Sequence, residues 1–259
     1  MTLIDAAPEL TLSPPANLRD LGGIAIPGGA VRAGFALRAD DLSLADPASA
    51  QRLVDDGLTA IIDLRSADEV AVTGRGPLGR QQVSYHHVPF LASIGAAART
   101  AGDSAAMLDQ STFEPMYIRM FESAAPQIVT ALSIIAYAPG ATAFHCAAGQ
   151  DRTGVLAASL LLTLGAHDDE IVADYVATGD NSDAIVGRTR QVIAPIMDRL
   201  GLDLDWAARA AVRQEFSPRP MRGLLDHLTA TYGDPLRPLR AAGLTDDLVQ
   251  RLRGRALGA

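Results

Sequence analysis

Cysteine and tryptophan each occur once in these 259 residues, and aromatic side chains make up only 5% of them. One cysteine permits no intrachain disulfide, which suits a reducing compartment such as the cytoplasm. Positive charge is also scarce: 22 basic against 30 acidic residues leave a formal charge of −8. A nucleic-acid binder needs a basic footprint, so nucleic acid is not expected as a partner. The same balance works against tight docking on an anionic membrane surface. Long apolar runs are missing too. The longest, Gly154 to Gly165, is broken by Ser159 and Thr163 and is too short to span a bilayer, so no stable membrane insertion is expected. Met1 to Pro15 carries acids rather than a basic start, which reads as no secretory signal and leaves export without a leader open. No internal repeat and no metal-ligand cluster is visible. His86 and His87 are adjacent, so on a strand they point to opposite faces and share a metal poorly.

What is present concentrates around the one cysteine. Residues 145–154 read His-Cys-Ala-Ala-Gly-Gln-Asp-Arg-Thr-Gly. Cys146 and Arg152 bracket the loop Ala147, Ala148, Gly149, Gln150 and Asp151. Such a loop can bind the three equatorial oxygens of a phosphoryl group through inward backbone N–H groups while sulfur attacks phosphorus. A helix opening at Arg152 would turn its positive end to the anion. The Arg152 fork can hold two phosphoryl oxygens at once. The same field favours a cysteine thiolate. A lone buried cysteine is otherwise inert core, and the surroundings decide against that here.

Those surroundings are strand, loop, helix. Ala141 to His145 reads as a short buried strand after the Pro139-Gly140 turn signal. Thr153 to Leu164 is almost wholly apolar and stops at Gly165, which predicts a buried helix with a glycine cap. His145 is expected to orient the loop rather than act as a base, its side chain turned away from the cavity. Thr153 can donate a hydrogen bond to the thiolate. Elsewhere Leu58–Leu64 and Gln82–Val88 read as strands, and Ala48–Asp56 and Glu69–Thr73 as short helices. Gly74–Gly79 reads as a loop. Helices are expected over Phe113–Ala138 with a break near Pro126, over Asp168–Thr178, over Ala184–Leu200, and in a last block from Pro218 to Leu257. The alternation predicts an α/β fold with a central, mostly parallel sheet flanked by helices. In such a sheet Asp63 and Cys146 would emerge together at the carboxyl ends of their strands. At 48% hydrophobic content, residues 1–259 suffice for a single domain.

The segment His145–Gly154 resembles the phosphate loop of cysteine-dependent protein tyrosine phosphatases, in particular their atypical bacterial group. Further motifs carry the resemblance along nearly the whole chain: Asn17-Leu18-Arg19-Asp20-Leu21-Gly22-Gly23, Arg38 with Asp41-Leu42, and Ile61 to Ser66 with Glu69. Asp174-Tyr175, Tyr232-Gly233 and Gly243-Leu244 extend it to the C-terminus. The resemblance implies a tyrosine/dual-specificity phosphatase-like fold with a helical lid-like insertion, about residues 91–138, and a catalytic loop and helix at 141–165. It implies hydrolysis of phosphotyrosine in a protein or peptide, with dual specificity toward phosphoserine or phosphothreonine as weaker substrates left open, inorganic phosphate as product, and no metal or organic cofactor.

The catalytic set implied is Cys146, Arg152 and Asp151. Many relatives bring an acid on a movable loop beside a Trp, but Trp206 lies far beyond the catalytic loop. Asp151 is therefore the candidate acid and Asp63 the runner-up, with an ion pair to Arg65 as its alternative role. Arg19 and Asp20 read as a structural pair. The stripe Met116, Tyr117, Met120 and Phe121 reads either as core or as the underside of a lid. One position departs from the family's pattern: Gln150 stands where Lys is common. A neutral amide cannot neutralise a second phosphate, which favours phosphotyrosine over phosphoinositides unless Arg38 or Arg65 serves the lipid. Two rivals from other classes are a sulfurtransferase and a silent phosphate-binding module. The His before the cysteine and the Arg-Thr after five residues favour phosphate over sulfur transfer, and an intact nucleophile disfavours a silent module.

Overall fold

Leu58 to Asp63 is an apolar, β-branched run whose side chains are buried apart from half-buried Thr59. A strand covered on both faces belongs inside a parallel sheet rather than at its edge. In the computed structural model, which describes residues 10–90, 110–199 (backbone alone from 195) and 216–258, it takes that place. The strands are β1 (Arg19–Asp20), β2 (Ala25–Ile26), β3 (Gly29–Ala30), β4 (Ala36–Ala39), β5 (Leu58–Asp63), β6 (Ser84–His87) and β7 (Ala141–His145). The main sheet runs β1-β4-β7-β5-β6, and only the short edge strand β1 is antiparallel to its neighbour. β2 and β3 form a separate hairpin.

Register places the site. His145 lies opposite Asp63 on one side and Ala39 on the other. Three chain segments therefore leave the sheet together: Asp40-Asp41 after β4, Leu64-Arg65-Ser66 after β5, and Cys146 onward after β7. The carboxyl edge of a parallel sheet is where such folds gather their chemistry.

Helices cover both faces. α1 (Pro47–Asp55) and the turn at Gly76–Arg80 pack over Leu58, Ile61 and Ala143. The Gly74–Gly79 stretch thus forms a 3-10 turn rather than an open loop. α2 (Ala67–Thr73) follows β5. On the other face stand α3 (Glu114–Ser123), α4 (Ala125–Tyr137), α5 (Asp151–Leu164), α6 (Asp168–Val176), α8 (Arg219–Tyr232), α9 (Arg237–Ala241) and α10 (Asp246–Leu257), while α7 (Ser182–Arg199) packs on α2 and ties Arg188 to Asp40 after β4. α5 is buried on every side beyond its first two residues, packs against α3, α4, α6 and α10, and ends at Gly165 with φ 89°. The block expected from Pro218 to Leu257 is three helices, because Gly233 and Gly243 turn the chain at positive φ and a helix cannot continue through them. Tyr117, Met120 and Phe121 are core, with Met116 packed at its margin. Residues 91–109 of the expected insertion, and Trp206, lie outside the described residues. Among the described residues no helix is long and apolar enough to cross a membrane.

Candidate active site

The loop after β7 is held open from outside. Its carbonyls are taken in sequence: Ala147 O by the Asp41 amide at 3.1 Å, Ala148 O by Asn17 Nδ2 at 3.3 Å, and Gly149 O by Asn17 Nδ2 at 3.0 Å and Arg38 Nη2 at 2.9 Å. In a trans peptide the N–H points opposite to its C=O. The amides of Ala148, Gly149 and Gln150 therefore turn to the concave side, and no described residue accepts from them. Gly149 is obligatory at this bend. Its φ is +67°, and a Cβ there would stand 2.5 Å from Ala39 O. The first turn of α5 adds its own amides at the same place. Cys146 sits at the base of this ring, 2% exposed.

Arg152 is aimed by Glu69. The two make a bidentate pair, Nη1 to Oε2 at 2.6 Å and Nη2 to Oε1 at 2.8 Å. Glu69 is fixed in turn by the start of α2: Ser66 Oγ accepts from the Glu69 amide, and Glu69 Oε2 accepts from the Ser66 amide at 2.7 Å. Burial works to neutralise this carboxyl, but Arg152 and the Ser66 bonds outweigh it and hold Glu69 below the usual carboxylate range. Burial would likewise lower Arg152, yet Glu69 and then the Cys146 sulfur raise it above its ordinary range. The cation stays permanently charged beside the sulfur. Ser66-x-x-Glu69 is a legible capping signal, but nothing in the sequence links it to an arginine 83 positions away.

Behind the loop lies a buried charge network. Arg65, wholly enclosed, reaches Asp63 through Nη2 at 2.6 Å and Asp41 through Nη1 at 2.8 Å. Tyr85 also donates to Asp63 at 2.8 Å. Burial acts to raise the Asp63 carboxyl, but His145, where acid has charged it, and Arg65 hold it far below the usual range. An ionised, enclosed carboxylate has no proton to give, so Asp63 fits its ion-pair role and not that of runner-up acid. His145 is buried; its Nδ1 accepts from the Leu42 amide at 3.3 Å, which leaves Nε2–H toward Asp63 Oδ2 at 3.7 Å. Burial lowers its pKa below 6.5, so a neutral ring braces three segments of the sheet edge.

Arg19 and Asp20 do not pair with each other. Their side chains leave the antiparallel edge strand in opposite directions: Arg19 bonds Asp174 at 2.9 Å, while Asp20 accepts from the Gly22 and Gly34 amides. Arg38 is also committed, to Asp174 and to Gly149 O, with no exposed surface. Neither Arg38 nor Arg65 can reach a lipid headgroup from such positions.

Asp151 opens α5 beside the ring. Its Oδ1 accepts from the Tyr117 hydroxyl at 2.6 Å and from Gln150 Nε2 at 2.9 Å. Neither donor touches Oδ2. Tyr117 escaped sequence reasoning because a tyrosine in an apolar stripe looks like plain core. Thr153 is buried, and its hydroxyl makes no hydrogen bond among the described residues. The bond expected from it to Cys146 is therefore not formed here. Among the described residues no group of three His, Cys, Asp or Glu could hold a metal.

A thiol at the base of an amide ring, facing a fixed guanidinium with a carboxyl at the rim, is equipped to bind a tetrahedral anion and take part in its transfer. The chain is 28% identical over 277 residues to the triple specificity protein phosphatase PtpB of Mycobacterium tuberculosis, covering 93% of this chain and 96% of that one. A protein of Cupriavidus necator is 30% identical over 223 residues, covering 78% of each chain. Among solved structures, TpbA of P. aeruginosa in complex with phosphotyrosine is similar at a TM-score of 0.34 and 17% identity, over 68% of this chain and 84% of that one. The model of the tyrosine phosphatase family matches residues 10–258. With the amide ring and its outer braces all inside that span, the chain belongs to the tyrosine phosphatase family, whose members are phosphoric monoester hydrolases.

Proposed function

We propose that the protein hydrolyses phosphotyrosine in a protein or peptide through a phosphocysteine. The observation that carries this is the Ala147–Gly149 carbonyls tied back by Asp41, Asn17 and Arg38, which leaves the amides free to bind phosphoryl oxygens. Cys146 Sγ forms a bond to phosphorus as the bond to the phenolic oxygen breaks. Arg152 and the loop amides of Ala147, Ala148, Gly149 and Gln150 carry the charge on the equatorial oxygens. Asp151 gives its proton to the departing phenolate. Water then attacks phosphorus, Asp151 takes its proton, the S–P bond breaks, and inorganic phosphate leaves with the thiolate restored. His145 and Asp63 support the loop from behind without touching substrate. In this reading the work is done in a reducing cytoplasm.

A second reading is phosphoinositide hydrolysis on the same loop. Gln150 weighs against it, as does the enclosure of Arg38 and Arg65. The deciding experiment is hydrolysis of an aryl phosphate, a phosphotyrosine peptide and a phosphoinositide with chelator present, beside a thiosulfate:cyanide assay. Turnover of the first two above the third is expected. Sulfur transfer without phosphatase activity would end the proposal.

A further inference from the structure

Tyr117 has a hydroxyl that the reaction above leaves unused. The ring is wholly buried on α3, yet its hydroxyl faces Asp151 Oδ1 at 2.6 Å and the Tyr175 hydroxyl at 2.8 Å. Tyr175 accepts from Gln110 Nε2 at 2.6 Å. The sense of that amide is set by backbone: the Ser217 N–H donates to Gln110 Oε1 at 2.8 Å, and the Ser217 carbonyl accepts from Nε2 at 2.9 Å. A backbone amide only donates and a carbonyl only accepts, so Gln110 presents a donor to Tyr175. The arrangement that satisfies both hydroxyls then runs Gln110 to Tyr175 to Tyr117 to Asp151 Oδ1.

Gln150 Nε2 brings a second donor to the same oxygen at 2.9 Å. An oxygen receiving two hydrogen bonds has no place for a proton of its own. We propose that Tyr117 is a positioning residue for the acid: together with Gln150 it reserves Oδ1 as an acceptor, so that Asp151 carries and delivers its proton on Oδ2 alone. This rests on the reading of Asp151 as the general acid. Tyr117 keeps its own proton throughout, because burial, then Asp151 and Tyr175, hold its phenol well above the ordinary range. The chain also gives Gln150 a purpose besides contact with substrate, since an ammonium at that position would bring charge where an amide brings only a donor.

The test is kcat/KM over a series of aryl phosphates with progressively poorer leaving groups, ending at phosphotyrosine. It compares the wild type, Tyr117→Phe, Asp151→Asn and the double variant, with thermal unfolding followed alongside. Removing an acid costs about 10²–10⁴ on poor leaving groups, so weakening its placement is expected to cost about tenfold on phosphotyrosine and under about twofold on the most activated ester. In the Asp151→Asn background Tyr117→Phe is expected to leave the slope unchanged. A steep Asp151→Asn series with equal losses across the series for Tyr117→Phe overturns the proposal alone. An unchanged slope for Asp151→Asn overturns the acid reading and the proposal with it. If Tyr117→Phe does not fold, Tyr175→Phe is expected to steepen the series in the same sense by a smaller factor, and a flat series there overturns the proposal.

Discussion

Arg152 lends both terminal nitrogens to Glu69, so its guanidinium plane is set before any anion arrives. A lysine offers one point charge and cannot keep the Glu69 fork while also spanning two phosphoryl oxygens. Arg152→Lys should lower kcat on the order of 10²–10³, the scale of losing one preorganised transition-state donor. Single-turnover kinetics would check it, and a loss confined to KM would mean the arginine only binds. At position 150 the amide is buried against Asp151. Gln150→Lys places a cation beside the loop of a chain whose formal charge is −8. The ratio of phosphoinositide to phosphotyrosine hydrolysis should rise, most visibly at low salt. An unchanged ratio would mean that position 150 does not select substrate.

Each element at the sheet edge contributes one brace, and the braces come from distant parts of the chain. Asn17 and Arg38 hold the outer carbonyls, while α2 delivers Glu69 through its capping box. Glu69→Gln strips the charge from an enclosed pair and should destabilise the fold by about 3 kcal/mol, since breaking a buried pair leaves its partner uncompensated. Phosphate or vanadate would supply the missing negative charge, so either should raise Tm more in this variant than in the wild type. Equal shifts would mean that Glu69 is not aiming Arg152 at the anion site. These braces also mark where sequence reading ends. The strand before Cys146, the apolar helix after it and the stop at Gly165 were legible because each is written in local spacing. The pairing of Glu69 with Arg152, and of Arg19 with Asp174, depends on which strands lie side by side. Periodicity carries no trace of that.

Across the whole molecule, buried charge sets the response to acid. Asp63, Glu69 and Asp174 are held below their ordinary values of 3.8, 4.5 and 3.8, so the unfolded chain binds protons that the folded one refuses. Their stabilisation is complete above those values and is lost as pH falls below them. His145, lowered from 6.5, acts in the same direction but earlier, since the unfolded ring charges while the folded ring stays neutral. Unfolding free energy should decline from about pH 6.5 downward and faster below about pH 4.5. His145→Asn should remove the first part of that decline, and chemical denaturation across pH would register it. Oxidation is the other whole-chain property. Cys146 is the one cysteine, so no second thiol can resolve a sulfenic acid. Peroxide inactivation should be only partly reversed by dithiothreitol, with sulfinic acid accumulating. Full thiol recovery after prolonged peroxide would contradict this.

The phosphocysteine is tested most directly by rapid quench of enzyme mixed with excess aryl phosphate, followed by peptide mass spectrometry. A phosphoryl group should be found on the Cys146 peptide of the wild type during turnover. Cys146→Ser should carry none, keep less than about one per cent of activity, and still bind vanadate, because the amide ring and Arg152 remain. Turnover by the serine variant, or a phosphoryl group on any other residue, would contradict the account.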